Sequence, residues 1–357
     1  MNILHIANLG RNNKIGGLGI AVLQLAEAQR KCGSESYICS FSNHESIINN
    51  KDCYFTPNKD TFIYVLKNKK PDIAIINGIY EKEDIWVWKC LKKYRIPYLI
   101  VFHGSASADN AKKGWLKKKV ANFIFFNKII ANAEGVIYLN KSELKKSVFR
   151  KVNDKYSIIP NGVNYPDSVI KAKGDDYVNI VFMSRLDYYG KGLDVLLPAI
   201  SRLYNEGWQN YLKFTFYGNS YDNTYKKLQQ YGSFVTYKGF VAGDRKNKAF
   251  EDASINILPS RSEGMPMTIL DSLAFGRPCI VTRMTNMADL IEENSCGWIV
   301  ELNEEALYST IVNAVKELRE CPDKYFNNCR KTACLFSWNE IAKKSISIYN
   351  RYLTNRK

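Results

Sequence analysis

Short apolar runs alternate with amphipathic stretches along most of the chain. The runs have the length of buried strands, and the stretches between them repeat apolar residues at helical spacing. Strands that alternate with helices at this period form parallel sheets covered by helices on both faces. In the first half, the predicted strands are residues 2–9, 36–41, 72–77, 97–102, 135–139 and 156–159, and the predicted helices run from about residue 20 to 31 and over residues 59–69, 83–94, 112–131 and 141–149.

The same alternation resumes after a polar stretch, residues 165–176, which we interpret as a linker. A chain of 357 residues exceeds the usual size of a single hydrophobic core. We therefore predict two domains, residues 1–165 and 166–336, and a terminal segment, 337–357. In the second half, the predicted strands are residues 178–184, 211–218, 234–240, 254–258 and 279–282, with helices between them and at residues 287–293, 304–320 and 338–352.

The main candidate site follows the predicted strand 254–258. Glu263 lies in the loop after this strand, Pro266 suits the first turn of the next helix, and Gly276 suits its end. Ligands of doubly wound sheets bind at the carboxyl ends of the strands. The position of Glu263 therefore indicates a binding site rather than a structural turn.

Two features of the same segment suit a diphosphate. The first amides of the helix, from Met267 and Thr268, favour an anion because they have no intrahelical acceptor. Asp271 follows Glu263 by eight positions. Helical rise then sets their carboxylates roughly 8–12 Å apart, about the length of a diphosphate between a sugar and a ribose. The alternative is an ordinary loop and helix with two incidental carboxylates.

Two strand ends in the first half hold further candidates. Gly16 and Gly17 lie after the first strand, where glycine lets the backbone approach a phosphate closely. A tight turn is the alternative interpretation. His103 follows the predicted strand 97–102, at the edge where ligands bind. The alternative for His103 is a loop residue whose hydrogen bonds are satisfied within the protein.

Arg185 and Lys191 follow the predicted strand 178–184 in the second half. The planar fork of an arginine and the point charge of a lysine together suit a diphosphate. The alternative is an exposed ion pair between Lys191 and Asp187, which would contribute little energy.

The net charge of +16 is concentrated in the first half of the chain. Residues 1–165 hold 26 Lys and Arg against 13 Asp and Glu, a net charge of +13. Such asymmetry indicates an anionic partner, which could be a membrane surface, a nucleic acid or a phosphorylated acceptor. Residues 112–119 contribute five lysines and Trp115, and the aromatic residues Phe123, Phe125 and Phe126 follow. This segment could lie on an anionic membrane, or could be a core-facing helix with a solvated lysine face.

The cysteines and histidines indicate a reduced protein without a metal site. Nine cysteines are scattered without a CxxC pair, and three histidines form no cluster. The N-terminus lacks the features of a signal peptide, and no apolar run approaches the length of a membrane span. We therefore expect a cytoplasmic protein, with peripheral binding to the inner face of the cell membrane as an open alternative.

Five of these features resemble the motifs of retaining GT-B glycosyltransferases of family 4, the glycosyl transferases group 1. They occur in the family order as Gly16-Gly17, His103-Gly104, Pro160-Asn161-Gly162, Arg185 with Lys191, and Glu263 with Asp271. The resemblance covers nearly the whole chain and is of the bacterial surface-polysaccharide type. The chain departs from the family pattern at Asn164, Ser184 and Asp271, where the family usually has Asp, Gly and Glu.

The resemblance implies an α/β protein of the GT-B fold, with two Rossmann-like domains facing across a cleft. The first domain would lie on the acceptor side, the second would bind the nucleotide sugar, and the terminal helix would cross back to the first. The implied enzyme is a hexosyltransferase that uses a nucleotide diphosphosugar and keeps the anomeric configuration. Its acceptor would be a glycan or a lipid-linked sugar in capsule, exopolysaccharide or lipopolysaccharide synthesis.

The resemblance also assigns roles to individual residues. Glu263 would hold sugar hydroxyls, His103 would contact the sugar, and Asp271 would bind the ribose. The expected catalytic residues are Glu263, His103, Arg185 and Lys191. The expected donor-binding residues are Gly16, Gly17, Arg185, Lys191, Val241, Glu263, Met267, Thr268 and Asp271. No cofactor or metal is expected, because cationic side chains and helix amides would replace a divalent ion at the diphosphate.

Three other functions fit parts of the sequence. A GT-B nucleotide-sugar epimerase would need no acceptor. A non-catalytic GT-B partner subunit would be expected to have lost Glu263, Arg185 or Lys191, but this chain retains all three. A nucleic-acid-binding protein would explain the charge, yet the sequence contains no aromatic-basic recognition motif, so we expect no nucleic-acid partner.

Overall fold

The computed structural model describes residues 1–11, 14–42, 50–106, 119–169, 177–220 and 223–355. Its contacts divide the chain into two compact units, Met1–Gly162 with Trp338–Lys357, and Val163–Ser337. The first unit therefore ends at Gly162, shortly before the predicted boundary at residue 165. Part of the predicted linker, residues 170–176, lies outside the described residues.

The first unit is built on a parallel sheet. Its strands are β1 (Asn2–Ala7), β2 (Gly10–Arg11), β3 (Lys14–Ile15), β4 (Glu35–Ser40), β5 (Cys53–Phe55), β6 (Ile73–Asn77), β7 (Tyr98–Val101), β8 (Gly135–Tyr138) and β9 (Tyr156–Ile158). The seven-stranded sheet has the order β5-β4-β1-β6-β7-β8-β9, and β2 and β3 form a separate antiparallel pair. The strand order switches sides at β1, which pairs in parallel with β4 on one side and with β6 on the other. Such a switch point is where doubly wound sheets bind ligands.

Helices cover this sheet. They are α1 (Gly17–Lys31), α2 (Lys59–Lys69), α3 (Glu83–Lys93), α4 (Asn127–Ala131) and α5 (Lys141–Lys146), and a π-helical turn, Asn122–Phe126, precedes α4. The predicted glycine loop is partly wrong, because Gly17 and Gly19 lie in α1. A Cβ atom on Gly19 would lie 2.2 Å from the Leu9 carbonyl oxygen, so this glycine is needed for helix packing. The lysine-rich residues 112–118 lie outside the described part of the chain.

The second unit has a six-stranded parallel sheet. Its strands are β10 (Val178–Met183), β11 (Leu212–Tyr217), β12 (Val235–Tyr237), β13 (Ile255–Leu258), β14 (Cys279–Val281) and β15 (Gly297–Ile299), in the order β12-β11-β10-β13-β14-β15. All side chains of β10 and β13 are buried, because both faces of the sheet are covered. The switch point lies between β10 and β13, so the loops after these two strands share one edge.

The helices of the second unit are α6 (Leu193–Asn205), α7 (Asp244–Glu251), α8 (Met267–Ala274), α9 (Ala288–Glu293), α10 (Glu304–Glu320) and α11 (Phe326–Cys334). The predicted helix between β11 and β12 is wrong, since the described residues there form the 3₁₀ turns Thr224–Lys227 and Gln229–Phe234. The last helix, α12 (Trp338–Thr354), belongs to the first unit and packs against α1. Gly276 ends α8 with a positive φ of 72°, as predicted.

Candidate active site

Glu263 is held in the loop between β13 and α8 by two side chains. The Lys191 ammonium donates to Glu263 Oε1, and the Ser260 hydroxyl donates to the same oxygen at 2.7 Å. The side chains of Glu263 and Lys191 are each only 14% exposed. Asn286 Nδ2 donates to the Glu263 backbone carbonyl at 2.6 Å. Backbone and side chain of Glu263 are therefore both fixed, and a nearly buried charge pair lies at the ligand-binding edge of the second unit.

An arginine joins the two loops that carry this pair. Arg261 forms a bidentate ion pair with Asp194 at 2.6 and 2.8 Å, and its guanidinium lies 3.8 Å from the centre of the Tyr189 ring. The Arg261 backbone amide donates to the Gly190 carbonyl at 3.0 Å. Bidentate arginine pairs combine strength with defined geometry. The sequence analysis missed this clamp, although Arg261 is in the same short loop as Glu263.

The backbone of the two loops also meets at Gly192. This residue precedes α6 with a φ of +69°, and a Cβ atom there would lie 2.1 Å from the Pro259 carbonyl oxygen. Only glycine accepts both the left-handed conformation and the close approach. Gly192 therefore sets the distance between the loop of Lys191 and the loop of Glu263.

Arg185 lies in the same loop as Lys191 but is far more accessible. Its side chain is 60% exposed, and its guanidinium lies 3.7 Å from the Asp187 carboxylate. Asp187 also accepts from the Gly190 amide at 2.9 Å. The alternative pairing of Lys191 with Asp187 is therefore wrong, because Asp187 pairs with Arg185 and Lys191 pairs with Glu263.

Asp271 is buried on α8 and pairs with a lysine that the sequence analysis did not select. Lys246 Nζ of α7 lies 2.9 Å from Asp271 Oδ2. Burial raises the pKa of Asp271, and Lys246 opposes this rise. The carboxylate thus already has a cationic partner, and the ribose contact stays a prediction.

The first turn of α8 and the loop after β12 hold the other donor-binding candidates of this unit. Pro266 precedes α8 in an extended conformation, so the helix begins at Met267, and the amides of Met267 and Thr268 lie in its first turn. Val241 packs against a buried cluster, whereas its neighbour Phe240 is exposed. Val241 is partly exposed, and its contact with a nucleotide base stays a prediction.

In the first unit, His103 follows β7 with a φ of +50°. Its Nε2 atom lies 3.1 Å from Asn77 Oδ1. Burial lowers the pKa of His103 to about 4, so the imidazole is neutral near pH 7. Gly16 and Gly17 are exposed, have no left-handed backbone, and leave open space where a Cβ atom would lie. Neither backbone conformation nor packing requires glycine at these two positions.

No group of His, Cys, Asp and Glu able to hold a metal ion occurs in the described ranges. None of the helices described here is long and apolar enough to cross a membrane.

Comparisons with known proteins bear on the family and the fold of this chain. Residues 177–317, which hold Arg185, Lys191, Glu263 and Asp271, match the model of the glycosyl transferases group 1 family. The match covers 141 of the 357 residues, so this segment of the chain is similar to that family. A 41.2 kDa protein in the cps region of Klebsiella pneumoniae is 24% identical to this chain, over 99% of the chain and 100% of its own length.

Two further comparisons concern proteins with stated activities or ligands. UDP-Gal:alpha-D-GlcNAc-diphosphoundecaprenol alpha-1,3-galactosyltransferase of Escherichia coli is 27% identical over 49% of each chain. The crystal structure of Anabaena Alr3699/HepE with UDP and glucose superposes with a TM-score of 0.75 over 98% of this chain and 99% of its own, at 14% identity. The fold is therefore GT-B, as predicted.

Proposed function

We propose that this protein transfers a hexosyl group from a nucleotide diphosphosugar to an acceptor hydroxyl, with retention of the anomeric configuration. The observation that carries the proposal is the Lys191–Glu263 pair at the switch point of the second unit, beside the first turn of α8. The pair lies within the segment that matches the group 1 glycosyl transferases.

The pair supplies both kinds of group that this reaction needs. Breaking the sugar–phosphate bond places negative charge on the departing diphosphate, and fixed positive groups that meet this charge lower the barrier. Lys191, Arg185 and the first amides of α8 would serve this purpose. Arg185 would lose little energy in turning from Asp187 to a phosphate, because exposed pairs contribute little.

Glu263 would bind sugar hydroxyls on the donor, and the Ser260 hydroxyl would keep its carboxylate oriented. When the Lys191 ammonium pairs with a donor phosphate, the Glu263 carboxylate loses that hydrogen bond. Its oxygen can then accept a hydrogen bond from a sugar hydroxyl. We propose no covalent intermediate, with the departing phosphate helping to deprotonate the acceptor.

The relatives support a polysaccharide substrate and a uridine nucleotide. One relative lies in a cps region and another uses UDP-Gal and a diphosphoundecaprenol-linked sugar. A UDP complex is known for a protein of the same fold. We therefore propose a UDP-sugar donor and a lipid-linked acceptor in surface-polysaccharide synthesis.

A panel of UDP-, GDP- and ADP-sugars tests the donor class. We expect at least one nucleotide sugar to raise the thermal midpoint, since a ligand at 100 times its Kd adds about 2.7 kcal/mol of stability. With a lipid-linked acceptor, the same donor should yield a product of unchanged anomeric configuration, measured by NMR. Epimerisation of the donor without acceptor would instead support the epimerase, and no response to any nucleotide sugar would contradict the proposal.

Removal of metal ions tests how the diphosphate is stabilised. We expect transfer to continue in EDTA at no less than about half its rate, because Lys191, Arg185 and the helix amides take the role of the ion. The measurement compares initial rates in EDTA with and without excess Mg²⁺ or Mn²⁺. A strict requirement for either ion would show that these groups are insufficient.

An exposed apolar patch on the first unit suits a membrane surface. Phe123 is 81% exposed on the π-helical turn, and its neighbours Val120, Ile124 and Phe125 are also exposed, whereas Phe126 is buried in the core. The exposed lysines Lys119 and Lys128 flank the patch. Aromatic and basic side chains together bind anionic bilayers. We propose that this patch docks on anionic membrane, where a lipid-linked acceptor resides.

Vesicle co-sedimentation tests the patch. We expect binding to rise with the fraction of anionic lipid, to fall with added salt because exposed charges are screened, and to fall severalfold in Phe123→Ser. Tyr64→Ser is the matched control, since Tyr64 is a 69% exposed aromatic residue elsewhere on the first unit. Equal vesicle binding by Phe123→Ser and Tyr64→Ser would contradict the proposal that this patch contacts the membrane. The absence of wild-type binding to anionic vesicles at low salt would also contradict it.

A further inference from the structure

A chain of hydrogen bonds runs from His103 into the interior of the first unit. Its first link joins His103 Nε2 to Asn77 Oδ1 at 3.1 Å, and Asn77 Nδ2 lies 3.4 Å from His5 Nδ1. His5 Nε2 lies 2.9 Å from Gln29 Oε1, and Gln29 Nε2 donates to Ser345 Oγ of α12 at 2.9 Å. The four residues behind His103 are buried.

The backbone around Asn77 determines which way its amide group points. Asn77 Nδ2 lies 3.0 Å from the Ile75 carbonyl oxygen and 3.4 Å from that of Ile6. Carbonyl oxygens only accept, so the NH₂ group of Asn77 must face them and the amide oxygen must face His103. An amide oxygen also only accepts. The hydrogen between Asn77 and His103 therefore belongs to His103 Nε2.

The rest of the chain agrees with this direction. His5 Nδ1 accepts from Asn77, so His5 Nε2 carries the hydrogen that it donates to Gln29 Oε1. The Ser345 hydroxyl accepts from Gln29 and donates to the Ala342 carbonyl at 2.8 Å. Every link thus pairs one donor with one acceptor. Burial lowers the pKa of both histidines to about 4, so both rings are neutral near pH 7.

A second residue fixes the backbone that carries the ring. Glu143 is buried, and its carboxylate accepts from the Gly104 amide at 2.5 Å and from the Leu139 amide at 2.6 Å. The chain is therefore held at Gly104, directly after His103, whose own backbone has a φ of +50°. With the backbone held, the hydrogen bond to Asn77 decides the orientation and tautomer of the ring.

We propose that Asn77 is a positioning residue that holds His103 in the Nε2–H tautomer, so that Nδ1 presents a lone pair to a hydroxyl group of the substrate. Within the described ranges, Nδ1 has no hydrogen-bond partner in the protein. A lone pair accepts from a hydroxyl but repels a phosphate or carboxylate oxygen. The identity of this hydroxyl as one on the donor sugar rests on the proposed function.

NMR of the full chain labelled with ¹⁵N-histidine tests the tautomer without any assay of activity. The sequence has only three histidines, and His103→Gln identifies the signals of His103. We expect wild-type His103 at pH 7 to have a protonated Nε2 and an unprotonated Nδ1, and Asn77→Ala to show a mixture of tautomers. An Nδ1–H tautomer or an imidazolium in the wild type would overturn the proposal, as would an unchanged tautomer in folded Asn77→Ala.

Asn153→Ala is the matched control. Asn153 is also a buried asparagine of the first unit that donates to two backbone carbonyls, those of Ile130 and Ala133, at 2.9 and 3.0 Å. Both variants should lose stability, but only Asn77→Ala should alter the His103 signals. Turnover should fall roughly 10- to 100-fold in Asn77→Ala, because a misplaced contact group costs this much, and should stay near wild type in Asn153→Ala.

Ligand titration separates this proposal from the function on which it rests. The nucleotide sugar with the largest thermal effect should shift the Nδ1 resonance, and the corresponding nucleoside diphosphate should not. An Nε2–H tautomer that depends on Asn77, in a protein that no nucleotide sugar stabilises, would uphold the positioning by Asn77 and refute glycosyl transfer. An equal Nδ1 shift with the nucleoside diphosphate alone would overturn the assignment of a sugar hydroxyl.

Discussion

Glu263→Gln should lower the turnover of glycosyl transfer by about 10²–10³-fold, the cost of removing one fixed electrostatic group from an active site. Glutamine keeps the shape of the side chain and an oxygen for the Ser260 hydroxyl. It removes the charge that holds Lys191 and replaces one of the two acceptor oxygens available to sugar hydroxyls with a donor group. Binding of the nucleoside diphosphate should persist or strengthen, because the ammonium of Lys191 no longer has a competing carboxylate. Initial rates and calorimetric titration measure the two effects.

Glu317→Gln is the matched control for this substitution. Glu317 is also a glutamate of the second unit whose carboxylate accepts from a lysine and a hydroxyl, those of Lys324 and Tyr325, both at 2.7 Å. Its loss should cost some stability and leave turnover near wild type. If folded Glu263→Gln turns over as fast as Glu317→Gln, the carboxylate of Glu263 takes no part in the reaction.

Gly192→Ala should destabilise the second unit by about 2–5 kcal/mol. The left-handed backbone costs roughly 1–2 kcal/mol with a side chain, and the overpacking costs about 1–3 kcal/mol more. The added Cβ atom would lie 2.1 Å from the Pro259 carbonyl, which must move together with the loop of Glu263. Turnover should therefore fall even in the molecules that remain folded. Denaturant titration and rate measurements below the unfolding midpoint test both effects.

Gly207→Ala separates the cost of a left-handed backbone from the cost of the close contact with Pro259. Gly207 has a similar φ of +82° but no atom within 4 Å of the position of a Cβ atom. This variant should lose only about 1–2 kcal/mol, the cost of the left-handed backbone, and should keep its turnover. Equal losses of stability in the two variants would mean that the approach to Pro259 is not a close contact in solution.

Much of the secondary structure follows from local patterns. The helix at residues 59–69 matches the predicted bounds, because Asn58 caps its start and a short amphipathic face defines its length. The helix at residues 304–320 also matches, with Asn303 as its cap. The strands Ile73–Asn77 and Val178–Met183 lie within one residue of their predicted ends, whereas the first strand ends at Ala7, two residues before its predicted end. These elements carry their own start and stop signals.

Elements without such signals were missed. The strands Cys53–Phe55 and Gly297–Ile299 have three residues each and lie at the edges of their sheets, where each pairs with one neighbouring strand. The helix Phe326–Cys334 is largely polar, and Arg330 fixes it by donating to the carbonyls of Ala274 and Pro166. In each case the neighbouring structure supplies the energy that the local sequence lacks.

The sequence by itself determined which residues are candidates for the site, because Glu263, Lys191 and His103 all follow predicted strands at the ligand-binding edge. Only the tertiary structure decided their partners. Lys191 and Glu263 are 72 positions apart, and Gln29 and Ser345, which end the chain of hydrogen bonds from His103, are 316 apart. Hydrogen bonds and charge pairs depend on distance and direction in space, and no period or propensity in the sequence encodes which distant groups the folded sheets bring together.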